Sequence, residues 1–306
     1  MQALLLADGI AEVALRPDLG GAVAAYDLVA NGRRRALFRR AAPDAGDAFA
    51  LACNPLLPWS NRISGGGFRH GGRFFPLAPN WPGEPCPLHG NGFLAHWRVV
   101  DGQRHAVELA LDSDGPGAFR YAARLRYWLA GGALGMRLSV THTGAEALPY
   151  GLGFHPWLVR DRTTVLQAAA ADVWLEDAHH LPAGCVTARA RPDWDFTHPR
   201  PLPPGWINNG FVGWDGRATV SWPERRLALA IDARPAEDTP MPLSTYILYA
   251  PILHGTGAPA AFFCFEPVSH PVDAHNLPGM PESNGLFVLG PGQSAAVQCR
   301  FTPYAL

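Results

Sequence analysis

The sequence predicts an all-β fold, a large antiparallel β-sandwich, and three observations carry that expectation. Apolar and polar residues alternate with period two along much of the chain, 30 prolines and 33 glycines leave few windows for a three-turn helix, and strand-like runs succeed one another without a βαβ rhythm. The clearest alternation covers 119–129, where Phe119, Tyr121, Ala123, Leu125, Tyr127 and Leu129 share one face and Arg120, Arg124 and Arg126 stand between them. Leu134, Met136, Leu138 and Val140 repeat the pattern, and Ala130-Gly131-Gly132-Ala133 joins the two runs as an antiparallel hairpin. Further strands are expected, in chain order, at 11–15, 22–28, 107–111, 218–222, 227–231, 261–266, 286–289 and 296–301. The Pro-rich stretch 199–205 reads as a loop across a sheet edge, so 1–306 is taken as one domain.

Composition removes several function classes. All 25 basic side chains are arginine. Without lysine there is no Schiff-base chemistry and no P-loop lysine, whatever the compositional origin of the absence. A net charge of −1 argues against nucleic-acid or anionic-membrane partners, and Arg33-Arg34-Arg35 with Arg39 and Arg40 reads as a solvated turn. Five scattered cysteines without a C-x-x-C pair favour free thiols in a reducing compartment. A short apolar stretch at 3–7 lacks the flanks of a signal peptide, and no apolar run approaches the roughly 18 residues of a membrane span. A cytoplasmic protein, monomer or homodimer, is the expectation.

Several motifs are absent or weak. Residues 255–260 formally fit G-x-G-x-x-A but include a proline and precede no amphipathic helix, which speaks against a dinucleotide. No G-x-S-x-G elbow occurs. Twelve histidines show no H-x-H or H-E-x-x-H spacing, so neither metal nor organic cofactor is expected, and His179-His180 reads as an exposed loop pair.

Four segments stand out, each placing an ionisable residue among aromatics and glycines. They are Asn54 to Gly66 with Trp59, Asn61 and Arg62; Asn80-Trp81 leading to His89-Gly90-Asn91-Gly92-Phe93; Tyr150 to Trp157 with His155; and Phe262-Phe263-Cys264-Phe265-Glu266-Pro267 followed by Asn276. Taken singly, an Arg beside Gly-Gly is a turn residue, a His on an apolar strand a satisfied core group, and a Glu after apolar residues a surface charge. The following prolines bias His155 and Glu266 toward extended backbone at a strand end. The run Phe262–Phe265 further implies a carboxylate delivered into a desolvated place, with the raised pKa a general base needs.

Together, and in this order, the segments resemble the aldose 1-epimerase (galactose mutarotase) family. The carriers are N-R-I-S-G-G-x-F at 61–68, Asn80 with His89-Gly90, F-H-P-W at 154–157, and F-E-P at 265–267 with Asn276. The resemblance implies the galactose-mutarotase type of sandwich, a small-molecule sugar as partner, and no cofactor. Glu266 would take the proton of the anomeric hydroxyl, His155 would protonate the ring oxygen, and the opened aldehyde would reclose on its other face. Arg62 and His89 would bind sugar hydroxyls, Asn61 and Asn80 would fix loops, and Trp59, Trp81 and Trp157 could stack on a pyranose. A bell-shaped pH profile follows if His155 is protonated while Glu266 is ionised.

Two departures bear on the substrate. Asn208, in Asn208-Asn209-Gly210-Phe211, stands where the family has an aspartate, and Asn91 replaces a glycine. A neutral amide gives weaker hydrogen bonds to hydroxyls and repels no anion. This leaves open a phosphorylated or sulfonated sugar, and it suggests that Asn208→Asp improves a plain hexose. A non-catalytic sugar-binding protein on the same fold is the other alternative, disfavoured by the intact His155/Glu266 pair.

Overall fold

In the computed structural model, which describes residues 3–235 and 241–306, the alternation resolves into two large antiparallel sheets. The nine-stranded sheet has the long hairpin Tyr121–Ala130 and Ala133–His142 near its middle, flanked by Ala106–Ser113 on one side and Ser294–Ala305 on the other. The hairpin turns through Gly131 (φ 61°) and Gly132 (φ 81°), both in the left-handed region that such two-residue turns require. The eleven-stranded sheet runs from Leu4–Ala7 through Ala11–Arg16 and Ala22–Ala30 to five strands that matter for function. These lie side by side in the order Cys53–Leu56, Gly153–Val159, Phe262–Val268, Thr245–Ala250 and Ile207–Val212, with Asp172–Glu176 next and Pro182–Thr187 at the edge.

Period two fixes what each face does. On Phe262–Val268, Phe263 and Phe265 point into one hydrophobic cluster that also holds Leu125, Leu138 and Val297 of the other sheet. Cys264 and Glu266 therefore point to the opposite face. The neighbouring strands obey the same rule: Leu158, Tyr246, Leu248 and Phe211 join the cluster, while His155, Trp157, Tyr249 and Asn208 turn away from it. The core between the sheets is the stabilising layer, and the far face of the larger sheet carries the site.

The all-β class agrees with the expectation, but the strands differ in detail. The last extends over Ser294–Ala305 rather than 296–301, because it is paired on both sides, to Ala133–His142 and to Leu227–Asp232. Trp59 is core, 1% exposed and packed on Phe119, and is no sugar platform. Arg39 corrects the reading of the arginine run as solvated: its guanidinium lies 3.9 Å over the Trp157 ring and donates to the Phe49 and Leu51 carbonyls. All five cysteines are free. Among the described residues, no helix is long and apolar enough to cross a membrane.

Candidate active site

The strand register brings His155 and Glu266 together. Gly153 pairs with Val268 and Trp157 with Cys264, so the ladder carried between them sets His155 opposite Glu266. Both lie in mid-strand, not at the strand ends the prolines suggested, since Gly153–Val159 and Phe262–Val268 each continue beyond them. Proline normally avoids central strands because it cannot donate to the ladder. Here Pro55, Pro156 and Pro267 sit buried on adjacent strands around the two residues.

His155 Nε2 is 3.3 Å from Glu266 Oε1, and the two side chains are 6% and 3% exposed. Burial pushes Glu266 well above the usual carboxylate range and His155 down to about 3. The neutral forms of both are thus favoured. A proton shared between them is therefore drawn toward Glu266 in the free site. The pair still titrates as a unit, with a low step adding a second proton and a high step removing the one it shares. Glu266 lines a cleft of about 330 Å³, and its Oε2, shielded from solvent, has no hydrogen-bond partner. A hydroxyl donating to the Glu266 carboxyl group would favour the carboxylate and shift the shared proton to His155.

The His155 ring is held by Trp157, stacked at 5.2 Å between centroids with 10° between planes. Arg39 also lies over the Trp157 ring, so this indole braces the histidine more than it offers a free face to sugar. Cys264 shares the floor, and its thiol, His155 and Glu266 have potential ligand atoms within 4.8 Å of one another. Burial pushes that thiol well above its ordinary value.

The rim comes from two loops that lock each other. Asn61 N donates to His89 Nδ1 at 2.9 Å and His89 N donates to the Asn61 carbonyl at 2.9 Å. With Nδ1 accepting, the proton of the neutral imidazole sits on Nε2, the nitrogen left to donate to a ligand; burial lowers the pKa of His89 well below its usual value and keeps it neutral. Asn61 and His89 both adopt left-handed backbone, at φ 59° and 55°, a strained conformation of the kind that clusters at binding sites. Asn80 fixes the same loop by bonding Leu88 N and the Leu88 and Gly90 carbonyls, as expected of a loop-fixing residue. Arg62 is held through Nε and Nη2 by Glu84, at 3.0 and 2.7 Å.

The cleft therefore collects Asn61, Arg62, His89, His155, Trp157, Asn208 and Glu266, which the sequence singled out, with Trp81. It also collects Phe49, Glu84, His180, Trp206 and Tyr249, which the sequence did not assign to it. His180 corrects the reading of 179–180 as an exposed pair: His179 is exposed, while His180, at φ 61°, turns inward to line the cleft. Only its closeness to Trp206 and Asn208 in space shows this, and sequence spacing carries no trace of it. Asn276 lies apart, tying Asp273 to the turn at 64–67.

The geometry also reverses the expectation for Asn208. Its Nδ2 donates to Glu176 Oε2 at 2.8 Å. An aspartate there would set two carboxylates against each other, so Asn208→Asp is expected to weaken binding of a plain hexose about tenfold. A KM for galactose or glucose unchanged or improved by the substitution would contradict this placement.

On an all-β fold, the sheet face thus presents a desolvated His–Glu pair flanked by hydrogen-bonding Arg, His and Asn side chains in one cleft. The chain belongs to the aldose 1-epimerase family, whose model matches residues 2–302. It is 36% identical over 250 residues to the uncharacterized protein YphB of Escherichia coli K12, covering 82% of this chain and 83% of that one. It also resembles a crystal structure of a candidate aldose 1-epimerase from the same organism, with a TM-score of 0.88, 30% identity, and coverage of 100% and 99% of the two chains. A galactose 1-epimerase from Lactobacillus acidophilus, 16% identical, shares the fold with a TM-score of 0.74 over 99% of this chain and 94% of its own.

Proposed function

We propose that the protein is an aldose 1-epimerase that interconverts the α and β anomers of a hexose by acid–base ring opening and closing. The observation that carries this reading is the 3.3 Å pairing of His155 with Glu266 on the floor of the cleft. Mutarotation removes a proton from the anomeric hydroxyl and adds one to the ring oxygen. A pair that shares a single proton has both capacities at once, and a binding protein needs neither. Glu266 takes the hydroxyl proton and His155 gives its proton to the ring oxygen as the C1–O5 bond breaks. Rotation about C1–C2 presents the other face of the aldehyde, and the reverse transfers reclose the ring. Arg62 and His89 Nε2 hold ring-side hydroxyls during the rotation, and Phe49 and Trp81 supply apolar walls.

The test is the rate at which freshly dissolved α-D-galactose and α-D-glucose reach anomeric equilibrium, followed by polarimetry or NMR exchange. Acceleration proportional to enzyme concentration is expected; none on any aldose defeats the reading. Because both pKa shifts widen the range of the one-proton pair, kcat/KM should be flat through neutral pH. It should fall only on the acid side, as His155 gains a second proton, and on the alkaline side, as the pair loses its last. A break between pH 6 and 7 would show an unshifted histidine instead. The same chemistry asks for no cofactor, so prolonged chelation should leave the rate unchanged, and a loss restored by added metal would count against the mechanism.

A further inference from the structure

We propose that Glu176 is a positioning residue which builds the wall of the cleft beyond the acid–base pair, and that this wall selects an uncharged aldose. The inference rests on the aldose 1-epimerase reading and specifies its substrate class. Glu176 ends the strand Asp172–Glu176, where the register with Pro182–Thr187 slips between Leu175 and Glu176 and re-aims the side chain. Its carboxylate collects three donors from separate segments. Oε2 accepts from His180 Nδ1 at 2.6 Å and from Asn208 Nδ2 at 2.8 Å, and Oε1 accepts from Trp206 Nε1 at 2.5 Å. His180, Asn208 and Trp206 all line the cleft, whereas Glu176 stands behind them.

The turn that delivers His180 is itself fixed, with Asp177 Oδ1 accepting from the backbone N–H of His179 and Leu181. With its Nδ1 bound to Glu176, His180 presents Nε2 to the cleft, and Asn208 presents Oδ1. Trp206 completes the wall, 5.3 Å from Tyr249 and nearly perpendicular to it. Two hydrogen-bonding atoms beside an indole suit the hydroxyls and apolar face of a pyranose.

Charge sets the class. The cleft's one lining arginine, Arg62, is neutralised by Glu84, and Arg39 lies behind Trp157 rather than in the cleft. The His155–Glu266 pair brings no net positive charge, since one carboxyl group stands against one buried imidazole. Glu176, which accepts from His180, Asn208 and Trp206, therefore adds a carboxylate charge behind this wall. A phosphate or sulfonate within about 6 Å of Glu176 would be disfavoured about a hundredfold at an effective dielectric near 20. This argues against the anionic sugar that Asn208 suggested when read alone.

The experiment compares the wild type with Glu176→Ala and Glu176→Gln on D-galactose, D-glucose and D-glucose 6-phosphate. Anomer exchange gives kcat and KM, and tryptophan fluorescence gives Kd without turnover. For the neutral hexoses, Glu176→Ala should raise KM and Kd at least tenfold with kcat within about threefold, because the three donors lose their common acceptor while the acid–base pair is untouched. Glu176→Gln retains an acceptor oxygen, so it should recover part of the neutral-hexose affinity and bind the 6-phosphate better than the wild type does. Thermal unfolding of each variant separates loss of the wall from loss of the fold. The proposal is overturned if Glu176→Ala, folded, leaves Kd unchanged, if the wild type accepts the 6-phosphate as well as glucose, or if Gln recovers nothing. A wild type that binds hexose but does not exchange anomers sinks the epimerase reading alone, and Kd then decides for Glu176. One that does neither sinks both.

Discussion

Glu266→Gln should lower kcat for anomer exchange by about 10²–10⁴-fold, with the fold intact. Glutamine fills the same volume between Ile247 and His155 and keeps a carbonyl oxygen, so packing on the core side is undisturbed. What disappears is the group that can hold the shared proton or release it to His155. His155→Asn should cost a similar factor for the complementary reason. The double variant should be little worse than either single one, since the two residues act as a unit and one proton passes through both. NMR exchange on a neutral hexose, with chemical denaturation as a control, measures all three. If Glu266→Gln retains more than about a tenth of the wild-type kcat, the pair is not the acid–base machinery.

The pKa directions give this prediction its pH dependence. Glu266 is raised and His155 lowered by the same cause, removal of both from water on the sheet face. In Glu266→Gln the surviving imidazole keeps its own burial and no carboxylate shares its proton, so the residual rate, which needs that proton for the ring oxygen, should no longer fall on the acid side. The alkaline limb of the wild type, which belongs to the last proton of the pair, should disappear.

How far the sequence reveals this site depends on what each residue's neighbours leave visible. The long hairpin at 121–142 is plain because one face is core and the other solvent, which is the condition for clean alternation. The strands on the cleft floor are less so. Cys53–Leu56 and all but the last residue of Gly153–Val159 are buried on both faces, and prolines interrupt their pattern, so period two is erased where the chemistry lies. Motif order, through the family resemblance, located His155 and Glu266 all the same. Glu84, Glu176 and His180 had no such signal. Glu84 and His180 reach the cleft, and Glu176 stands behind its wall, through partners remote in sequence: Arg62 for Glu84, and Asn208 and Trp206 for the other two. Asn208 is the instructive case, because the identity of one residue pointed to a lost charge, whereas the fold supplies a carboxylate from the neighbouring strand.

Gly90→Ala should destabilise the protein by about 4 kcal/mol or more, a size reserved for changes that nothing nearby can absorb. Gly90 sits at φ 68°, and an added Cβ would lie 2.1 Å from the Leu57 carbonyl oxygen and 2.5 Å from both its carbon and Pro58 Cδ. These are backbone and ring atoms of a fully buried segment, bridged directly to Gly90, so no side chain can swing aside. Asn80 holds the other side of the loop through the Leu88 and Gly90 carbonyls, which blocks retreat in that direction. The loop must therefore move as a whole and carry His89 with it, so KM for hexose should rise along with the loss of stability. Gly83→Ala is the matched control: it lies in the same loop region at φ 80°, with nothing within 4 Å of the new Cβ. That change should cost only the left-handed backbone penalty of about 1–2 kcal/mol. Urea unfolding of the two variants isolates the steric part. If they differ by less than about 1 kcal/mol, the close approach of Gly90 to Leu57 is not what fixes His89 at the rim of the cleft.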